Sequence, residues 1–140
     1  MKDRYLFKAK RIDNGEWVEG YLCRKYYQEL PHDRLVIQYK TMGNEYEWTP
    51  KYMTAEIDEN TICQYTGLTD KNGNKIWEND IVQYCDFTTE NYVIGWDSDK
   101  ARYEYRQYCC SMMDFDETSS IEVEAIGNIF DNPGLLEGQV

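Results

Sequence analysis

Hydrophobic and polar residues alternate along the chain in short segments, without the spacing of an amphipathic helix. In the first segment Tyr5, Phe7 and Ala9 lie on one side and Arg4, Lys8 and Lys10 on the other, as in a strand with one apolar side. Residues 13–15, Asp-Asn-Gly, interrupt the pattern before residues 17–18, Trp-Val. Because Asn-Gly is a strong signal for a tight hairpin turn, the pattern predicts a β-hairpin at the start of the chain.

The next apolar segment, residues 34–40, has a Leu-Val-Ile centre between polar loops. A shorter segment, residues 46–48, leads into Pro50, which usually ends an extended run. We therefore predict two more strands here.

A second Asn-Gly pair, Asn72-Gly73, separates residues 62–65 from residues 75–77, which are both apolar and extended in pattern. This arrangement predicts a second hairpin. As in the first hairpin, the glycine is expected to adopt a positive φ.

Four further segments of strand length follow, at residues 80–84, 92–96, 102–105 and 121–126. Pro133 introduces at most one short helical turn near the end. The fold class predicted is all-β, with short antiparallel strands and hairpins that form a small barrel or sandwich. Side chains on the apolar stripes are expected to be buried, namely Trp17, Trp77, Trp96 and Ile126.

Size and composition agree with a soluble globular protein. The chain has 140 residues, of which 41% are hydrophobic, 15% aromatic and 29% charged. A boundary is predicted near Gly67, where the charge also changes. It gives an N-terminal β subdomain (1–68) and an acidic C-terminal β subdomain with a small barrel-like part (69–140), expected to form one compact unit.

The charge is concentrated in the second half. Residues 1–68 carry ten Lys and Arg against eleven Asp and Glu, whereas residues 69–140 carry five against fifteen, a net charge of −10. Nucleic-acid affinity rests on cations that neutralise phosphates, so we expect no direct binding to DNA or RNA. The basic run of Lys2, Arg4, Lys8, Lys10 and Arg11 is interpreted as a solvated strand face.

The sequence indicates a cytoplasmic protein. No stretch approaches the roughly 18 to 20 apolar residues of a membrane span, and residues 1–4 lack the apolar run of a signal peptide. The five cysteines form an odd set without a Cys-x-x-Cys pair, which favours reduced thiols. The redox state of the adjacent Cys109 and Cys110 is left open.

Candidate catalytic groups are few. His32, the single histidine, stands in a Pro-His-Asp loop segment with no partner motif, which favours a solvent-exposed loop residue. Asp70-x-Asn72-x-Asn74 resembles the start of a calcium-binding loop, but Lys75 and Ile81 occupy the positions that need Gly and Glu. We expect a turn there without an ion.

The densest carboxylate group is Asp114, Asp116 and Glu117, interpreted as a solvated acidic loop with a cation site as the alternative. Nucleotide-binding glycine loops and the nucleophile-elbow motif have no match in the sequence. We therefore assign no catalytic, cofactor-binding or metal-binding residue, and no cofactor, and an enzyme is not expected.

Three segments resemble the YopX family of proteins from phages and prophages of Gram-positive bacteria. They are residues 5–11 leading into 14–21, residues 64–73 continuing through 76–82, and residues 126–133. Asn79 stands where the family pattern usually has Gly, and Asn also tolerates positive φ. The resemblance implies an all-β protein in a bacterial cytoplasm and brings no functional residues with it.

Three functional hypotheses follow. The first is a non-enzymatic protein-interaction module, self-associating into a homo-oligomer, with rigid Tyr and Trp side chains as interface anchors. The second is an acidic nucleic-acid mimic that blocks a host DNA-binding protein, with a row of carboxylates on one face. The third is a metal-dependent hydrolase or nuclease that uses Asp114, Asp116 and Glu117.

Overall fold

The structure is a computed structural model that describes residues 3, 5–26, 28, 33–41, 51–84, 90–107 and 110–137, with backbone alone at 107, 110–114, 117 and 118. The described residues form eleven strands, one α-helical turn, α1 (Glu117–Ser120), and 3₁₀ turns at Glu59–Thr61 and Pro133–Leu136. The strands are β1 (Leu6–Lys10), β2 (Trp17–Lys25), β3 (Arg34–Thr41), β4 (Lys51–Glu56), β5 (Cys63–Thr69), β6 (Lys75–Trp77), β7 (Asp80–Tyr84), β8 (Asn91–Asp97), β9 (Arg102–Gln107), β10 (Cys110–Asp114) and β11 (Val123–Asn128). All pairings are antiparallel, which confirms the all-β prediction.

Backbone contacts divide the chain into two units. The N-terminal unit is Tyr5–Gln64, and the C-terminal unit is Tyr65–Val140 together with residues 1–4. The division falls inside β5, close to Gly67.

In the N-terminal unit the strands lie in the order β4-β3-β2-β1-β5. The predicted hairpin joins β1 to β2, and Gly15 has φ +71° at its turn, as expected. One side of the sheet carries a small aliphatic core, in which a partly buried ring, Phe7, packs against short side chains. The buried members are Ala9, Val18, Ile37, Ala55 and Ile57.

In the C-terminal unit a second sheet has the order β10-β9-β8-β7-β11. The other predicted hairpin joins β5 to β6, with Gly73 at φ +81°. Asn79 has φ +69° in the turn before β7, so the residue that replaces the family glycine does adopt the left-handed conformation. The 3₁₀ turn at Pro133–Leu136 is the short helical turn that the sequence predicted.

The core of the C-terminal unit is largely aromatic. Tyr105 is 1% exposed and lies 5.1 to 5.9 Å, ring to ring, from Tyr84, Tyr92 and Phe115. Its hydroxyl donates to Ser119 Oγ at 2.9 Å, so the buried polar atom has a partner. Burial raises the pKa of Tyr105 above its usual range.

Two predictions need correction, namely the burial of Trp96 and the first residue of the last strand. Trp77 is buried, and Trp17 and Ile126 are half-buried, but Trp96 is 38% exposed. It shares a strand face with the buried Ile94 but stands near the end of β8, where its ring packs edge-on against Tyr103 at 4.9 Å. The strand predicted to start at Ile121 begins at Val123, because a backbone hydrogen bond from Glu122 to Ser119 extends the turn after α1.

Strands β4 and β10 and the helical turn α1 were not predicted from the sequence. The strand predicted at residues 46–48 lies outside the described residues. Within the described part of the chain, no helix has the length and apolar character of a membrane span.

Candidate functional site

The candidate site is the side of the N-terminal sheet that faces away from the aliphatic core. Residues directly opposite each other in antiparallel strands point to the same side, so the register defines this outer face without ambiguity. Its members on β1 to β4 are Leu6, Lys8, Lys10, Trp17, Glu19, Tyr21, Cys23, Lys25, Arg34, Val36, Gln38, Lys40, Tyr52, Thr54 and Glu56. Most of them are exposed or half-buried, but Val36 is only 1% exposed, as is Cys63, which lies opposite Lys8 on β5.

The outer face has a charge opposite in sign to that of the chain. It carries five Lys or Arg and two Glu, a net charge of +3, whereas the chain carries −11. On this face Arg34 and Glu56 form an ion pair at 3.2 Å. The Lys25 ammonium also donates to Thr54 Oγ1 at 3.4 Å, across β3.

At one end of this face, two lysines converge on one indole ring. Lys10 pairs directly with Trp17 across β1 and β2, and Lys8 is the diagonal neighbour. Their Nζ atoms lie 5.5 Å and 4.6 Å from the ring centroid, within cation–π range. Two cations thus lie within reach of this ring, which is half-buried.

Two tyrosines occupy the middle of the outer face and its β4 edge. Tyr21 is 52% exposed and lies in a row with Leu6, Gln38 and Thr54 across four strands. Tyr52 is 59% exposed and lies opposite Lys40. These rings are fixed to paired strands, so ordering them on contact with a partner requires little loss of backbone entropy.

Arg11 follows this basic run but turns to the other side of the sheet. It donates from Nε and Nη2 to both carboxylate oxygens of Asp13, at 2.9 and 2.8 Å, and lies over the Tyr39 ring. The Asp13 carboxylate raises the pKa of Arg11, and the guanidinium lowers the pKa of Asp13. Arg11 therefore fixes the turn of the hairpin rather than adding to the outer face.

A groove of about 500 Å³ lies beside Arg11. Its charged lining is evenly balanced, with two basic and two acidic side chains, and Arg11 is already held by Asp13. The lining residues are Lys10, Arg11, Ile12, Gly15, Ile57, Asp58 and Glu59. This balance gives no preference for an anion or a cation.

The Asp70-x-Asn72-x-Asn74 segment is a turn, as the sequence indicated. The Asp70 carboxylate is 3% exposed and accepts backbone hydrogen bonds from Asn72, Asn74 and Ala125 at 2.9 to 3.0 Å. Burial by itself raises the pKa of this carboxyl, but the backbone donors outweigh it, and the net pKa is lowered. Asp70 thus joins the second hairpin to β11 within the C-terminal unit.

The remaining candidate residues are not brought together. Asp116 caps α1, accepting from the Ser119 backbone at 2.9 Å, while the Asp114 and Glu117 side chains lie outside the described atoms. His32, Cys85 and Cys109 are also outside the described residues, as is the Cys110 side chain. Among the described residues, no three His, Cys, Asp or Glu side chains are placed to hold a metal ion.

Sequence reasoning missed the outer face as a single surface. The alternation of β1 identifies a basic side of that strand, but it does not show which residues of the neighbouring strands lie on the same side. The signal that unites Lys8, Trp17, Tyr21, Lys40 and Tyr52 is the register between four strands, which the alternation within one strand does not supply.

Comparison with known proteins identifies a family and a solved structure of similar fold. The family model described as "YopX protein" matches residues 6–137. A search of curated proteins found no match. Among solved structures, the crystal structure of protein EF1440 from Enterococcus faecalis aligns with a TM-score of 0.57 and 22% identity, over 94% of this chain and 96% of that chain. At this identity the likeness shows the fold.

Proposed function

The chain belongs to the YopX family, and from that premise we propose that it is a phage- or prophage-encoded, non-enzymatic protein-interaction module that self-associates in the bacterial cytoplasm. The observation that supports this most is the outer face of the N-terminal unit. There, Tyr21 and Tyr52 are more than half exposed beside a half-buried Trp17.

The composition of this face fits a binding surface. Tyr and Trp are enriched at interfaces because a large, rigid ring buries much area for little loss of side-chain entropy. Here the rings are interspersed with lysines and Gln38, which keep the face soluble when it is not covered. The rings are also not needed for the core, which lies on the opposite side of the sheet.

An enzymatic function, such as that of a metal-dependent hydrolase or nuclease, finds less support. The most deeply buried carboxylates of the C-terminal unit accept structural hydrogen bonds, as in Asp70 and in Asp80, which accepts from the Trp77 backbone at 2.9 Å. Glu104 pairs with Arg106 at 2.9 Å. These groups take part in hydrogen bonds and an ion pair within the fold.

The nucleic-acid mimic ranks second. Several carboxylates that a mimic would display are used inside the C-terminal unit, such as Asp97, which accepts two backbone hydrogen bonds in the turn between β8 and β9. A mimic needs its carboxylates in an outward row, so each internal use weakens that hypothesis relative to self-association.

Multi-angle light scattering of the purified chain tests the proposal. We expect a mass above the 16.7 kDa of one chain, and a return toward that mass in the Tyr21→Ser/Tyr52→Ser double variant. The matched control is Tyr5→Ser/Tyr26→Ser, which removes two tyrosines that are even more exposed but are not on the outer face. A wild-type mass of 16.7 kDa at every concentration would contradict the proposal.

A further inference from the structure

The charge of the outer face points to the kind of surface that covers it. Lys8, Lys10 and Lys40 give the face a positive charge on a molecule whose net charge is −11. A net positive sheet face that displays aromatic rings fits a partner with exposed carboxylates.

Such carboxylates occur in the C-terminal unit of the same chain. Residues 76–99 and 107–140 contain no Lys or Arg. A hydrogen bond from Asn91 Nδ2 to the Leu135 carbonyl, at 2.8 Å, brings these two stretches together. Two exposed carboxylates flank this bond in the sequence, Glu90 next to Asn91 and Glu137 two residues after Leu135, and we call them the acidic end. The Glu90 carboxylate also accepts a hydrogen bond from the Tyr92 hydroxyl at 2.9 Å.

We infer that the outer face of one copy binds the acidic end of a second copy. This inference rests on the self-association proposed above and names its surfaces. The contact joins unlike charges, whereas pairing two outer faces would place lysines against lysines.

Nucleic acid is the competing partner, because a sheet with lysines and aromatic rings also suits single strands. The whole-chain charge disfavours it. A polynucleotide bound to the outer face is negatively charged along its whole length and must approach a molecule with a net charge of −11, whereas a second copy also carries 15 Lys and Arg among its acidic groups.

A charge exchange between two variants tests the inference. Lys8→Glu/Lys40→Glu reverses the outer face, and Glu90→Lys/Glu137→Lys reverses the acidic end. Each variant alone is expected to associate at least about tenfold more weakly than wild type, whereas an equimolar mixture regains wild-type affinity because unlike charges again meet. Light scattering and sedimentation give the masses, and melting curves verify that each variant is folded.

Matched controls carry the same charge changes elsewhere. Arg24→Glu/Lys51→Glu lies on exposed positions of the opposite side of the N-terminal sheet, and Asp99→Lys/Glu122→Lys lies on exposed positions of the C-terminal unit. Both controls are expected to associate like wild type. Raising salt from about 0.1 M to about 1 M, which shortens the Debye length from about 10 to about 3 Å, is expected to dissociate the wild type.

Several results would overturn the inference. A mixture that fails to regain affinity, controls that lose as much as the variants, or salt-sensitive binding of a random single-stranded oligonucleotide that Lys8→Glu/Lys40→Glu abolishes would each do so. If the protein forms oligomers whose mass changes neither with salt nor with charge reversal, this inference is wrong and the proposed self-association stands. A monomeric wild type would remove both.

Discussion

The two units of this protein use aromatic residues in opposite ways. The C-terminal unit places Tyr92, Tyr105 and Phe115 inside its core, where they contact one another edge-on or tilted. The N-terminal unit has a buried core of short aliphatic side chains, with Phe7 and Tyr39 only partly buried against it, and keeps Tyr21 and Tyr52 in solvent.

Their charges differ as well. Residues 5–64 carry eight Lys and Arg against ten Asp and Glu, whereas residues 65–140 carry five against fifteen. In the C-terminal unit several acidic groups are buried and bonded to backbone, as Asp70 is. We therefore expect the core rings of the C-terminal unit to stabilise the fold and the exposed rings of the outer face to serve recognition, and mutation can separate the two roles.

The largest expected effect is in the aromatic core. Tyr105→Ala removes a ring that contacts three others and a hydroxyl bonded to Ser119, and should lower the free energy of unfolding by about 3 to 5 kcal/mol. Urea denaturation measures this. A loss below about 1 kcal/mol would show that the ring cluster does not hold the unit together.

Next comes Asp70→Asn, which puts an amide that donates hydrogen bonds where backbone N–H groups need an acceptor. Because bonds to a charged group are worth about 1.5 to 3 kcal/mol each and an amide oxygen keeps part of them, we expect a loss of about 2 kcal/mol at neutral pH. Urea denaturation at neutral pH measures it.

The same substitution has a pH signature. The folded pKa of Asp70 is lowered, so its contribution is complete above the unfolded pKa of about 3.9 and is lost as the pH falls through the folded value. The difference between wild type and Asp70→Asn should therefore shrink in acid. A difference that is constant from pH 7 to below the folded pKa would refute this account of the turn.

Gly73→Val should have a smaller effect. A β-branched residue is strained at φ +81°, and the expected loss is about 1 to 3 kcal/mol although nothing lies within 4 Å of the new Cβ. Gly134→Val is the control, since its surroundings are equally open and its φ is not in the left-handed region. Thermal melting of both variants should separate backbone strain from bulk, and equal melting temperatures would contradict the assignment.

The smallest effect on stability is expected on the outer face. Tyr21→Ala removes an exposed ring and should change the free energy of unfolding by no more than about 0.5 kcal/mol. In the same sample, association should weaken. A large loss of stability without a change in association would reverse the roles assigned to the two units.

The sequence predicted the elements that local chemistry determines. Asn14-Gly15 and Asn72-Gly73 specify turns by themselves, and the alternation in β1 assigned its sides correctly. The sequence pattern failed where the position of a residue within the sheet determines its burial. Trp96 has the pattern of a core residue, but it stands near the end of β8 and is exposed.

The outer face could not be predicted for a related reason. Tyr21 and Tyr52 share a side because the β2–β3 register pairs Tyr21 with Gln38 and the β3–β4 register pairs Tyr52 with Lys40. A slip of one residue in either register would place one of the two rings on the core side. β4 itself was missed because its sequence, Lys-Tyr-Met-Thr-Ala-Glu, lacks a regular apolar alternation.

Hydroxyl-radical footprinting across a dilution series tests the central claim most directly, because it reports the exposure of individual side chains. As the protein is concentrated, oxidation of Trp17, Tyr21 and Tyr52 should fall together, while oxidation of Tyr5 and Tyr26, which are exposed but not on the outer face, should stay unchanged. Protection of Tyr5 and Tyr26 instead, or no protection at concentrations where light scattering shows oligomers, would contradict the assignment of the outer face as the interaction surface.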